Sequence, residues 1–193
     1  MKTGVIILAA GAASRMGKAK MLLPFGNSTI LETLIDEVKT IKPNVIGLVT
    51  GCYHQLITEK LDTHELKIIF NEDWKEGMAT SIRKGVIVMK EEYPDLDAML
   101  LLVSDQPFVN SELLIRMIHL KEKSQKGIIA AKYAGIAGIP VLFDRKYFKS
   151  LEQLTGDRGA KPILIANTAD LETVDFEKGI YDIDTPEAYK NVK

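Results

Sequence analysis

The sequence predicts an α/β fold with a mostly parallel sheet. Three observations carry that expectation: short apolar runs with almost no polar interruption, amphipathic helical stretches between them, and alternation of the two from the first residues onward.

Residues 4–10 (GVIILAA) form the first expected strand, apolar enough to be covered on both faces. A helix follows, because Ile30, Leu31, Leu34, Ile35, Val38 and Ile41 make one stripe opposite Glu32, Asp36, Glu37 and Lys39. Strands are expected at 44–50 and 66–70, a helix at 79–91 and a strand at 98–104. The helix expected at 111–123 has Asn110 or Ser111 as its cap and Leu113, Leu114, Met117, Ile118 and Leu120 on its apolar face. A strand at 127–133 ends the regular alternation. Beyond it come a strand at 139–143, a helix near 144–153, the polar run TGDRGAK (155–161), a short helix, and short strands near 172–183. No repeat, low-complexity tract or linker interrupts the 193 residues, so one domain is expected over 1–193.

Composition narrows the function. The formal net charge of −1 offers no global field for nucleic acid or an anionic membrane, so any affinity for phosphate must be local. No run approaches the roughly 18 apolar residues of a membrane span, and the N-terminal apolar segment running into SRMGKAK reads as a folded strand rather than a signal peptide. The single cysteine, Cys52, fits a reducing compartment, and the expected location is the cytoplasm.

The local chemistry lies at strand ends. In an open α/β sheet ligands bind beyond the carboxyl ends of the strands. There, after the first strand, Gly11 sits among Ala9, Ala10, Ala12 and Ala13, and Arg15, Lys18 and Lys20 follow. Backbone N–H groups in a tight turn can cradle an anion, an arginine fork matches phosphate oxygens, and a lysine adds a mobile charge. Two familiar phosphate loops are excluded. Gly11 and Gly17 have five residues between them with Ala19 after Lys18, which is not a P-loop, and Ala13 breaks the dinucleotide fingerprint. An ordinary turn with solvated charges remains the alternative. Asp105 ends the apolar run LLLVSDQPFV, where it suits either a turn or a hard cation such as Mg²⁺. Asp182 and Asp184, two apart in YDIDTPEAY, face one side of an extended segment; the residues before Pro186 and Glu187 also carry a helix N-cap signal.

LAAGAASRMGKAK resembles the signature L-A-x-G-x-S-x-R-M-G-x-x-K of the MobA-like nucleotidyltransferases, with Ser14 one place later than usual. Within them it is most similar to the molybdenum cofactor cytidylyltransferase branch and related xanthine dehydrogenase accessory proteins. NEDWKEGMATSI (71–82) resembles their N-x-x-W-x-x-G-M-x-x-S segment, and DQP and GDRGAK match further elements, with Lys161 in place of the usual arginine. The matches run from residue 8 to residue 186.

The resemblance implies a Rossmann-like domain of the nucleotide-diphospho-sugar transferase type. It implies an enzyme that joins CTP to molybdopterin, giving the cytosine dinucleotide cofactor and pyrophosphate. By that resemblance Arg15 and Lys20 hold the triphosphate, Leu8, Ala9, Ala10 and Gly11 border the base, and Gly77, Met78 and Ser81 recognise it. Asp105 holds Mg²⁺, with Asp184 favoured over Asp182 as the second ligand, and Pro140 lies near the second substrate. Ala10, where GTP-using members carry glycine, points to CTP. The recipient implied is a molybdenum hydroxylase of the xanthine dehydrogenase type. The alternatives are GTP use, a sugar- or polyol-phosphate nucleotidyltransferase, and a carrier that binds the pterin cofactor without chemistry.

Overall fold

The computed structural model describes residues 1–13 and 16–192, and for Val192 the backbone alone. Strand β1 (Thr3–Ala9) is buried along its whole length. Its side chains alternate between two cores, with Val5, Ile7 and Ala9 in one and Ile6 and Leu8 in the other. A small hairpin, β2 (Pro24–Phe25) and β3 (Ser28–Thr29), feeds α1 (Ile30–Thr40). There Thr29 and Glu32 form a reciprocal cap: the Thr29 hydroxyl accepts from Glu32 N at 3.2 Å, and the Glu32 carboxylate accepts from Thr29 N at 3.0 Å.

The chain continues through β4 (Val45–Thr50), α2 (His54–Lys60), β5 (Lys67–Phe70), α3 (Met78–Glu92) and β6 (Ala98–Val103). Next come α4 (Ser111–Lys123), β7 (Ile128–Tyr133), β8 (Ile136–Asp144), α5 (Phe148–Glu152), α6 (Lys161–Ala166), β9 (Leu171–Asp175) and α7 (Pro186–Val192). Seven strands form one sheet in the order β5-β4-β1-β6-β8-β7-β9. β1, β4, β5 and β6 are parallel, β9 is parallel to β7, and β8 runs antiparallel to both neighbours. The mostly parallel α/β architecture expected from the sequence is the one observed.

Helices cover both faces of the sheet. Leu31, Leu34 and Val38 of α1 and Leu113, Leu114 and Met117 of α4 pack in the core of one face. Ile82, Val86 and Met89 of α3, with Phe148 and Leu151 of α5, pack in the other. β1 and β6 are adjacent and in register from Thr3↔Ala98 to Leu8↔Val103, so the loops leaving their carboxyl ends meet at one edge.

Three details differ from expectation. The strand expected at 139–143 extends over Ile136–Asp144 and passes a register shift opposite Ala130 and Ala131. Pro140, which lacks an N–H, falls at that irregularity, where an inner strand tolerates it. The short strands expected near 172–183 reduce to β9, and Glu177–Ile180 is a 3-10 turn. Helix α2 was not expected; Ile57 is its single buried residue, so it shows no apolar stripe.

Candidate functional site

A cleft of about 740 Å³ opens at the carboxyl ends of β1 and β6, on the face covered by α3. Its floor is the β1 loop. The carbonyl of Ala10 accepts from Cys52 N at 3.0 Å, and the carbonyl of Ala12 accepts from the Tyr53 hydroxyl at 2.9 Å. Leu8, Ala10 and Gly11 line the cleft. Ala9 does not, because the alternation along β1 sends its side chain into the opposite core. A Cβ built on Gly11 would meet nothing within 4 Å, so the loop leaves its backbone open to a ligand. Arg15, expected to hold phosphate, and the neighbouring Ser14 lie outside the described residues.

Two acidic segments close over this loop. Asp105 follows β6, and its carbonyl accepts from Ile183 N at 3.0 Å. Ile183 is fully buried against Met16, Leu23 and Ile30. That anchor fixes Asp182 and Asp184 on either side of it at the rim of the cleft. The segment ends where Thr185 caps α7, its hydroxyl accepting from Ala188 N at 3.1 Å.

Asp105 and Asp184 both meet the Lys20 ammonium. Lys20 Nζ lies 2.8 Å from Asp105 Oδ2 and 2.6 Å from Asp184 Oδ1. Burial acts to lower the Lys20 pKa, but the Asp105 and Asp184 carboxylates outweigh it and hold the ammonium above its ordinary value. Desolvation, reinforced by the charges of Asp105 and Asp184, pushes Asp182 up to about 6. Two carboxylate oxygens around one cation position are the hard donor set that Mg²⁺ takes when phosphate and water supply its remaining ligands. Among the described residues no group of three or more acidic, histidine or cysteine side chains forms a metal centre without such help. Asp105 and Asp184 therefore fit a metal shared with a phosphate substrate.

The opposite wall is the segment from Asn71 to Ser81. Asn71, almost fully buried, donates through Nδ2 to the Thr80 and Ser81 hydroxyls, both at 2.9 Å. Trp74, Gly77, Met78 and Ser81 face the cleft. Gly77 has φ +109°, and a Cβ there would stand 2.6 Å from Asp157 Oδ1. Asp157 does not cap the helix that follows it, whose N-cap is Ala160. Its Oδ1 instead accepts from Met78 N at 3.0 Å, and the Gly156 carbonyl accepts from Ala79 N at 3.1 Å. The loop thus satisfies the first amides of α3 from a distant part of the chain.

The cleft therefore gathers Leu8, Ala10, Gly11, Lys20 and Asp105 with Gly77, Met78, Ser81 and Asp184. Residues that line the cleft without having been singled out in the sequence include Lys75, Gln106, Tyr133 and Asp157. Gln106 is 3% exposed and donates to the Gly179 carbonyl at 3.2 Å, so it holds the turn before the acidic tail. Its place beside Asp105 in the DQP run was the available signal. No helix is long and apolar enough to cross a membrane among the described residues.

The family model described as "MobA-like NTP transferase domain" matches residues 5–171. A molybdenum cofactor cytidylyltransferase of Escherichia coli (strain K12) is 29% identical over 97% of this chain and 94% of its own length. The purine catabolism protein PucB of Bacillus subtilis (strain 168) is 27% identical over 97% of this chain and 94% of its own. The crystal structure of Rv0371c from Mycobacterium tuberculosis H37Rv superposes with a TM-score of 0.87 at 24% identity, covering 99% of this chain and 96% of that one, which is a likeness of fold.

Proposed function

The chain belongs to the MobA-like NTP transferase domain family, and on that footing we propose that it transfers the cytidylyl group of CTP to the terminal phosphate of molybdopterin. The observation that carries this reading is the meeting of Lys20, Asp105 and Asp184 above the open Ala10–Gly11 loop. A phosphate oxygen of the acceptor attacks the α-phosphorus of CTP. The new O–P bond forms as the bond from the α-phosphorus to the bridging oxygen breaks, and pyrophosphate leaves with that electron pair. A terminal phosphate is already ionised near neutral pH, so alignment and charge neutralisation supply most of the catalysis.

The cleft residues divide this work. The Gly11 turn takes phosphate oxygens at its backbone, and Lys20, once drawn off the carboxylates, neutralises the departing pyrophosphate. Trp74, Met78 and Ser81 form the wall for the base. Asp105 and Asp184 would hold Mg²⁺, which would supply charge neutralisation for the phosphates. Arg15 joins Lys20 on the triphosphate by its match to the family signature. The choice of CTP over GTP rests on Ala10, and the similarity to the Escherichia coli cytidylyltransferase supports it. The product serves a molybdenum hydroxylase of the xanthine dehydrogenase type, a recipient in keeping with the purine catabolism protein among the relatives.

The test is incubation of the purified chain with molybdenum-loaded molybdopterin, Mg²⁺ and each NTP, following pyrophosphate and dinucleotide product. CTP alone should support rapid turnover, and Asp105→Ala should abolish it. Turnover with GTP in place of CTP overturns the nucleotide assignment, and binding of the pterin without turnover identifies a carrier.

A further inference from the structure

Strands β1 and β4 run side by side from Gly4↔Val45 to Ala9↔Thr50, so the loops that leave them are neighbours at the edge of the sheet. The turn at 51–53 reaches the β1 loop at two alternate carbonyls. Cys52 N donates to the Ala10 carbonyl at 3.0 Å, and the Tyr53 hydroxyl donates to the Ala12 carbonyl at 2.9 Å. The approach is close because residue 51 is glycine: a Cβ there would stand 2.6 Å from the Ala10 oxygen. A trans peptide unit is planar, and its C=O and N–H point opposite ways. The unit of the Ala10 carbonyl carries the Gly11 N–H, and the unit of the Ala12 carbonyl carries the Ala13 N–H. Both carbonyls are drawn toward Cys52 and Tyr53, which do not line the cleft, whereas Gly11, Ala12 and Ala13 do. The two N–H groups are therefore turned the other way, and among the described residues neither meets an acceptor. Ala13 has φ +48°, a left-handed conformation that is unfavourable for a residue with a Cβ and must be held by its surroundings.

We infer that Tyr53 is a positioning residue for the polyphosphate of the nucleotide: by holding the Ala12 carbonyl it aims the Ala13 N–H into the cleft, beside the Gly11 N–H that Cys52 aims in the same way. The inference rests on the nucleotidyl-transfer reading of the cleft and adds to it a residue outside the cleft wall. Two N–H groups turned to one side of a tight turn form a concave donor pair suited to the oxygens of a phosphate. The phenol never meets the substrate. Without its hydroxyl, Ala13 relaxes out of the left-handed region, its peptide plane turns, and the donor pair is lost. The Cys52 donor belongs to the backbone, so the Tyr53 hydroxyl is the part of this device that a side-chain substitution can remove.

The test uses the full chain with Mg²⁺ and three probes: inorganic tripolyphosphate and a methylene-bridged CTP analogue by calorimetry, and cytidine by fluorescence of Trp74, the sole tryptophan. Tyr53→Phe keeps the half-buried ring and removes only the hydroxyl. It should weaken tripolyphosphate and the CTP analogue by about tenfold and leave cytidine within about twofold. Glycine takes the left-handed conformation without strain, so Tyr53→Phe/Ala13→Gly should recover about threefold or more of the lost affinity. Tyr147→Phe, which removes a hydroxyl bond to Asp170 instead, is the control for general loosening and should leave all three probes within about twofold. Equal tripolyphosphate binding by the parent and Tyr53→Phe overturns the positioning role, and so does a loss that cytidine shares. A double variant no better than Tyr53→Phe overturns the aiming of the Ala13 N–H. Binding that follows the expected pattern without pyrophosphate release from CTP and molybdopterin would overturn the transfer reading and leave the role of Tyr53 intact.

Discussion

The ammonium of Lys20 stands 2.8 Å from Asp105 Oδ2 and contacts Asp184 from its other side, so the protein supplies its own cation to the carboxylate pair. On the proposed function, substrate binding would exchange one cation for another, the triphosphate drawing Lys20 away as a divalent ion takes the carboxylates. Replacing Lys20 by methionine should make nucleotide-free protein bind Mn²⁺ at least about tenfold more tightly by electron paramagnetic resonance, an energy of about 1.4 kcal/mol. The same variant should lose most of its turnover. Unchanged or weaker Mn²⁺ binding would place the metal elsewhere.

Ala10 gives a second expectation. Its side chain lines the cleft beside Gly11, where the proposed function puts the base. Ala10→Gly should raise the ratio of GTP to CTP kcat/KM by about tenfold, the scale of one methyl group in a fitted pocket. An unchanged ratio would move base choice to Met78 and Ser81.

Gly77 tests the contact between the Asp157 loop and α3. At φ +109° an alanine is strained, and its Cβ would meet Asp157 Oδ1 at 2.6 Å. Gly77→Ala should cost about 2–3 kcal/mol in chemical denaturation and weaken nucleotide binding. A variant as stable as the parent would mean the loop yields without cost.

Asp170, in the turn before β9, gives an expectation for acid stability. Its carboxylate receives Lys146 Nζ at 2.7 Å, the Tyr147 hydroxyl at 2.6 Å and Gly127 N at 3.0 Å. Lys146 first, then Tyr147, draw its pKa down to about 2. A carboxyl depressed in the folded state stabilises the protein above its unfolded value near 4, and that contribution fades as pH falls toward 2. Asp170→Asn should therefore destabilise by about 1–2 kcal/mol at pH 7. The gap from the parent protein should close in denaturation curves taken below pH 4. A gap that stays constant with pH would assign the loss to packing.

The strands were legible because burial on both faces leaves an almost continuous apolar run, as in β1 and β6. Helices α1, α3 and α4 were legible from their stripes, whereas α2 buries only Ile57 and left none. At the site, Leu8, Ala10, Gly11, Lys20, Gly77, Met78, Ser81, Asp105, Asp182 and Asp184 line the cleft, Ala9 is turned away by strand alternation, and Arg15 lies outside the described residues. Leu8 and Ala10 point toward α3 and Ala9 points away. The ion pair of Lys20 with Asp184 spans 164 positions, and the bond from Met78 to Asp157 spans 79. No local pattern encodes such partners; they arise only when the tail and the 156–161 loop fold back over the sheet.

The antiparallel β8 makes a seam in the molecule. Four residue pairs, from Ala98↔Asp144 to Leu101↔Val141, join β6, which leads to Asp105, to the β7–β8 hairpin. Sequence before α4 carries the β1 loop and the base wall, and sequence after it carries the hairpin, the 156–161 loop and the acidic tail. On the proposed function, most of the nucleotide contacts and most of the acceptor contacts then come from separate stretches of chain, bridged by the bond from Met78 N to Asp157. An exchange of everything beyond Asn110 between relatives should transplant the acceptor preference while the nucleotide preference stays behind.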